Sequence, residues 1–288
     1  MKDLAIIGPG KVGRTLALLF HEKQVFKIGA LIAEREATAK EAAGFIGAGE
    51  PGGTLSDADV ILIAVPDPVL ETVISGLIDT DLKPGAILAH TSGALGLEMF
   101  APLQGREVRT VCAHPVKAFS ETARSVDTFT GTMTTLSGDA SACSDLAAAF
   151  RAIGGQTLEI PANTDRTLYH AGIVFMANHL PTLVEAGLKT FEQAGVSRKD
   201  GLAITGPILR DTLEAVLENG PAAALTGPVA RGDANTVARH LEKISRADTD
   251  LAALYAALAH ATADVSKEKG EASADGLAAI RALTKPVG

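Results

Sequence analysis

Apolar residues in the first half of the chain come in short runs, at 4–7, 28–32, 60–65, 86–90, 108–113, 132–136 and 157–160. Each run has the length of a strand, and several are apolar at consecutive positions, as strands covered on both faces must be. Between them apolar positions recur at helical spacing over 12–22, 35–45, 68–77 and 141–153, the last stopped by Gly154 and Gly155. Strand alternating with helix predicts an α/β fold with a doubly wound, mostly parallel sheet.

After Pro161 the strand pattern ends, and the rest is rich in Ala and Leu at helical spacing. This predicts an α/β domain over 1–160, the expected ligand-binding part, and an all-helical domain over 161–288 for substrate or dimer contacts. The first helix of the second domain is expected to start at Thr164 and Asp165, where an acidic residue suits an N-terminus, and to run to Ala194 with a kink at Pro181. The triplets Thr205-Gly206-Pro207 and Thr226-Gly227-Pro228 read as helix starts, because proline fits a first turn whose N–H has no partner anyway. They also suit the lining of a site. Asp233 is expected to cap a helix through Leu241.

Gly8-Pro9-Gly10-Lys11-Val12-Gly13 lies between the first run and the first helix. This is a G-x-G-x-x-G turn in strand–turn–helix context. Gly8 permits the tight turn, Gly10 lets a diphosphate approach the backbone, and Gly13 lets helix and strand pack closely. The helix N–H groups, from Lys11 and Val12 onward, then face the phosphates. The same residues nearly spell the phosphate loop of nucleotide hydrolases, but its lysine position holds Arg14. A planar guanidinium does not replace that compact ammonium, so the dinucleotide reading stands.

Composition narrows the classes further. With 47% hydrophobic and 21% charged residues, the 288-residue chain can bury a large core. A net charge of −8, 4% aromatics and no Trp argue against a nucleic-acid surface. No apolar run approaches a membrane span and no leader precedes the first strand, so no membrane partner and a cytoplasmic location are expected. Cys112 and Cys143 have no metal-ligand or redox spacing and are expected as two buried thiols, with no metal site.

Ala64-Val65-Pro66-Asp67, His90-Thr91-Ser92-Gly93-Ala94-Leu95, His114-Pro115, Tyr169-His170-Ala171, Asn178-His179 and the stretch from Ala224 to Asp233 carry a further signal. Across nearly the whole chain they resemble bacterial oxidoreductases with a Rossmann-like N-terminal domain and a C-terminal helical domain first catalogued without a function. That group is similar in turn to pyrroline-carboxylate reductases, ketopantoate reductases and β-hydroxyacid dehydrogenases. The resemblance implies an NAD(P)-dependent reductase of a small 2-keto acid, 2-ketopantoate first, with the helical domain closing the site and forming a homodimer. A cyclic-imine reductase of the pyrroline-carboxylate type and a non-catalytic dinucleotide sensor remain as alternatives.

Ligands of open parallel sheets gather beyond the carboxyl ends of the strands. The segments at Val65-Pro66-Asp67, Ser92-Gly93 and His114 to Lys117 all fall there, although Asp67 can equally cap a helix and Ser92 can equally shape a plain turn. By resemblance, the Pro66 segment borders the ribose and nicotinamide and Ser92 lies near the reacting end. Cofactor choice rests on the turn after the second strand. There Glu34 stands at the spacing of an NAD ribose acceptor and Arg35 suits an NADP phosphate; the resemblance leans to NADP, with NAD open.

Reduction of a carbonyl or imine also needs a proton donor or a hydrogen-bonding group at the accepting atom. Many relatives use a Lys and an Asn on the first helix of the second domain, whereas this chain has no Lys there before Lys189. It offers His170 and Asn178, about 80° apart on an ideal helix. His170 can act as the acid or serve as a core histidine. Lys117 is a second donor candidate, and His114 and His179 are expected to orient neighbours.

Overall fold

The computed structural model describes residues 1–285 and divides into two compact units between Phe175 and Met176. In the first unit β1 (Lys2–Ile7), α1 (Lys11–Glu22), β2 (Phe26–Ile32), α2 (Glu36–Ile46), β3 (Glu50–Pro51), β4 (Val60–Ile63), α3 (Asp67–Ser75), β5 (Ala86–His90), β6 (Val108–Pro115), α4 (Thr122–Asp127), β7 (Met133–Gly138), α5 (Ala140–Ala152), β8 (Gln156–Glu159) and α6 (Arg166–Ile173) follow in order. The sheet order is β3-β2-β1-β4-β5-β6-β7-β8. Strands β1 to β6 run parallel, β7 pairs antiparallel with β6, and β8 runs parallel to β7. The doubly wound, mostly parallel sheet is as the apolar runs require. Order reverses between β1 and β4, the switch point where open α/β sheets bind ligands.

Side chains alternate across each strand, so one apolar run serves two cores. Leu4, Ile6, Leu62, Ile87 and Val111 pack on one face, under α1 and α5. Ala5, Ile7, Ile61, Ile63 and Leu88 pack on the other, with Leu70 and Ile74 of α3. Burying each Leu or Ile contributes about 1.5–3 kcal/mol, which is why these strands read as unbroken apolar runs.

The compact division falls after Phe175 and not at the expected 160/161 boundary. Loss of strand pattern does not end the first unit, because α6 is fastened to the sheet. Tyr169 Oη meets Thr135 Oγ1 of β7 at 3.0 Å, and Arg166 donates to the Ser92 carbonyl at 3.2 Å. Asp165 caps α6 as expected, accepting from the Leu168 N–H. The predicted single helix to Ala194 is broken into α6, a π turn at Val174–Asn178 and α7 (Leu180–Gln193). Pro181 has no N–H for the carbonyl four residues back, and the chain accommodates this by widening the preceding turn.

The second unit continues with α8 (Arg198–Ala224), α9 (Ala234–Ala247), α10 (Thr249–Lys269) and α11 (Ala274–Leu283). Val237, Ala259, Ala263, Leu277 and Ile280 form its core. Asp233 caps α9 through the Thr236 N–H, as expected. The expectation at Thr205-Gly206-Pro207 is corrected: α8 starts at its Ser197 cap, and Pro207 lies inside the helix. The carbonyl it leaves without a donor belongs to exposed Ala203, where water can serve it. The second triplet does open a turn, with Pro228 preceding a short 3-10 turn at Val229–Arg231. Among the described residues no helix is long and apolar enough to cross a membrane.

Candidate active site

The glycine turn is shaped by what its backbone touches. Gly8 has φ +83°, and a Cβ there would lie 2.6 Å from Val65 Cγ1 and 2.8 Å from the Ala64 carbonyl oxygen. A Cβ on Gly13 would lie 2.6 Å from the Gly8 carbonyl oxygen. Gly8 and Gly13 therefore let the turn, β4 and α1 close on one another. Gly10 differs: a Cβ there would meet nothing within 4 Å. Its missing side chain leaves room for something outside the chain. Gly10 is also the N-cap of α1, with no side-chain cap and no acid in the first turn, so neither satisfies the first N–H donors of the helix.

That space belongs to a crevice of about 780 Å³ at the switch point. Gly8, Pro9 and Gly10 line it after β1, Val65 and Pro66 after β4, and Glu34, Arg35 and Thr38 after β2. Six of the expected cofactor residues thus share one wall system: Gly8, Gly10, Glu34, Arg35, Val65 and Pro66. Lys11, Val12, Gly13 and Asp67 flank it. Val12 leans on the core beneath the sheet, and Asp67 is the first residue of α3 behind Pro66. An open diphosphate cradle beside a turn holding both an acid and an arginine fits a dinucleotide.

Further along the same sheet edge, beyond β5 and β6, lies a cluster of rings. His114 Nδ1 is 3.2 Å from Tyr169 Oη, which also meets Thr135. The His114 and His170 rings stand 6.5 Å apart. Both press on Gly93, where a Cβ would come within 2.9 Å of each. Burial, then the nearby Arg166 charge, then His170, push the His114 pKa down to about 4. His114 is therefore neutral at pH 7 and holds Tyr169 in place. Deeper, His90 stacks on Phe100 and meets the Gly96 carbonyl and Cys112 Sγ, both at 3.1 Å. Burial lowers the His90 pKa and raises that of Cys112 to about 12, so this pair is inert packing at neutral pH. Cys112 and Cys143 are buried and unpaired.

Ser92 and Lys117 have structural partners. Ser92 is buried, and its Oγ accepts from the Ala94 and Leu95 N–H groups, which fixes the turn after β5. The Lys117 ammonium bonds the Thr128 carbonyl and hydroxyl, both at 2.8 Å, closing the end of α4. Both side chains therefore hold local structure at this edge. Of the expected donor candidates, His170 stays on the ring cluster; Asn178 ends the π turn in the second unit, and the ideal-helix angle between them does not carry across that turn. Arg166, which sequence reasoning passed over, lies buried in the same cluster, with Cζ 4.8 Å from the centre of the Tyr169 ring. Among the described residues no group of three His, Cys, Asp or Glu side chains is placed to hold a metal.

Two family models match the chain, and the second begins within the first compact unit. Residues 2–115 match a Rossmann-like domain, and residues 132–262 match a domain of unknown function, DUF2520. The chain joins a Rossmann-like domain to a DUF2520 domain. No curated protein sequence matches it. Among solved structures, BF3122, a candidate NADP oxidoreductase from Bacteroides fragilis, superposes with a TM-score of 0.72 at 20% identity, over 91% of this chain and 98% of that one. Protein TM1727 from Thermotoga maritima gives 0.68 at 22% identity, over 93% and 99%. An imine reductase from Myxococcus stipitatus solved with NADP+ gives 0.64 at 15% identity, over 93% and 94%. At these identities the likeness establishes a shared fold across both the Rossmann-like and DUF2520 domains.

Proposed function

We propose that the chain is an NADPH-dependent oxidoreductase that reduces the carbonyl of a small 2-oxo acid, with 2-ketopantoate as the specific substrate. The observation that carries this reading is the switch-point crevice, with Gly10 open where a diphosphate would approach. Support for NADPH over NADH comes from Arg35 beside Thr38 on the crevice wall, since a guanidinium matches a 2′-phosphate. The Myxococcus stipitatus imine reductase of this fold was solved with NADP+.

When bound, NADPH supplies the hydride. The glycine turn and the first N–H groups of α1 would hold the diphosphate, Arg35 would hold the 2′-phosphate, and Val65 and Pro66 would border the nicotinamide. His170 gives its ring proton to the substrate oxygen as charge develops there. His114 does not compete as an acid, being neutral at pH 7; it anchors Tyr169 next to His170. No observation on the first unit supports Asn178, so the proton step rests on His170.

A cyclic-imine substrate is the second reading, favoured by the fold shared with the Myxococcus stipitatus enzyme and with a pyrroline-5-carboxylate reductase from Coxiella burnetii, which superposes with a TM-score of 0.57 at 16% identity. A homodimer belongs to the proposal as well. Its support is the row of exposed leucines Leu202, Leu209, Leu213 and Leu217 on α8. Two buried, unpaired thiols suit a reducing, cytoplasmic compartment.

The test is NADPH oxidation with a panel of 2-oxo acids and cyclic imines, run beside NADPH binding. Oxidation with a 2-oxo acid, fastest with 2-ketopantoate, is expected. Oxidation with imines alone moves the reading to the second substrate class. Tight NADPH binding with no turnover across the panel makes the chain a dinucleotide sensor.

A further inference from the structure

Arg166 is the first residue of α6 and only 6% exposed, yet its Nε and Nη1 find no hydrogen-bond partner. Nη2 alone is engaged, on the Ser92 carbonyl at 3.2 Å. The Tyr169 ring 4.8 Å away is drawn to the cation but does not neutralise it. A buried charge costs several kcal/mol unless a counter-charge and hydrogen bonds offset it, and an arginine cannot shed its proton to escape the cost. Buried polar atoms left unpaired in a folded protein call for a partner from outside the chain.

We infer that Arg166 is the anion-recognition residue of this site and that its ligand is the carboxylate of the substrate. The inference rests on the reductase reading and narrows its substrate class. Either edge of a guanidinium presents two parallel N–H groups to a carboxylate. Glu98, beside the Arg166 stem, spends one carboxylate oxygen on the Gly96 N–H, and His114, Tyr169 and Thr135 add no permanent cation, so Arg166 is the one permanent positive charge of the cluster and matches a monoanionic carboxylate. Tyr169, His114 and His170 each keep part of their surface exposed, whereas Nε and Nη1 do not. A carboxylate therefore reaches Arg166 as side chains of this cluster turn aside, beside His170. A neutral ketone or imine makes no such exchange.

The experiment is calorimetric binding of pyruvate, 2-oxobutyrate and 2-oxoisovalerate, each beside its methyl ester, with and without NADP+, to the wild type, Arg166→Met and Arg166→Lys. Melting temperature and NADPH affinity are measured on the same samples. At least one acid should bind the wild type tenfold or more tighter than its ester. Arg166→Met should lose that tenfold preference, keep NADPH affinity within about twofold, and melt no lower than the wild type, because it removes a buried charge with two unpaired nitrogens. Arg166→Lys keeps the charge without the fork and should fall between them; it decides the matter if the Met variant does not fold. A wild type that binds no acid better than its ester overturns the inference. So does a folded variant with the preference intact, or an Arg166→Met protein that only loses melting temperature. Failure of the wild type to bind NADPH would sink the reductase reading instead, and is read separately from the acid-to-ester ratio.

Discussion

The crevice around Gly10 and the cluster around Arg166 sit on one sheet edge and are built in opposite ways. The crevice is made by removal: side chains are missing at Gly8, Gly10 and Gly13, which leaves backbone N–H groups and open space. The cluster works by crowding, with His90, His114, Tyr169, His170 and Arg166 packed around Ser92 and Gly93. Backbone donors aligned by a helix need little support and tolerate neighbours of many kinds. Buried side-chain charge depends on every neighbour. The first arrangement therefore suits a common cofactor, and the second a particular substrate.

The sharpest way to break the comparison is at His170. If the crowded cluster is the reacting end, His170→Ala should lower turnover by roughly a hundredfold or more, the scale of a general acid, while leaving NADPH affinity unchanged. Single-turnover hydride transfer, melting temperature and cofactor titration on one preparation separate catalysis from folding. A stable variant with undiminished hydride transfer would return the cluster to plain packing.

A smaller effect follows from His114. Its folded pKa is held at about 4 by burial, by Arg166 and by His170, whereas an unfolded chain takes up that proton near pH 6.5. Between those values the unfolded state binds more protons, so the stabilisation is complete above about pH 6.5 and is lost as the pH falls toward 4. His114→Gln should remove part of that acid slope, by a few degrees of melting temperature across the window, with buried His90 supplying a further part. An unchanged slope would mean that the ring is protonated or solvated in the folded protein.

The two regions also differed in how far they could be read beforehand. The spacing of Gly8, Gly10 and Gly13 behind a strand carries its own geometry, and the caps at Asp165 and Asp233 are local signals of the same kind. The two-residue edge strand β3 is too short to leave an apolar pattern. Pro207 misled because the cost of an internal proline depends on whether the carbonyl four residues back can reach water, a tertiary property. Arg166 escaped notice for a related reason: an arginine at the start of a helix is ordinarily solvated. Its burial arises only when β5, β6, β7 and α6 meet. The partners of Ser92 and Lys117, the Ala94 and Leu95 N–H groups and the end of α4, were likewise invisible in the sequence.

The account stands most directly on the crevice, and NADPH titration of the wild type and Gly10→Val tests it. A Cβ at Gly10 meets no protein atom within 4 Å, so the variant should keep the wild-type circular dichroism spectrum and melting temperature. Branched carbons would occupy the diphosphate's place, so NADPH affinity should fall by at least a hundredfold. Tight NADPH binding by wild type, lost in a folded Gly10→Val protein, is the predicted result; equal affinity in the two proteins would contradict it.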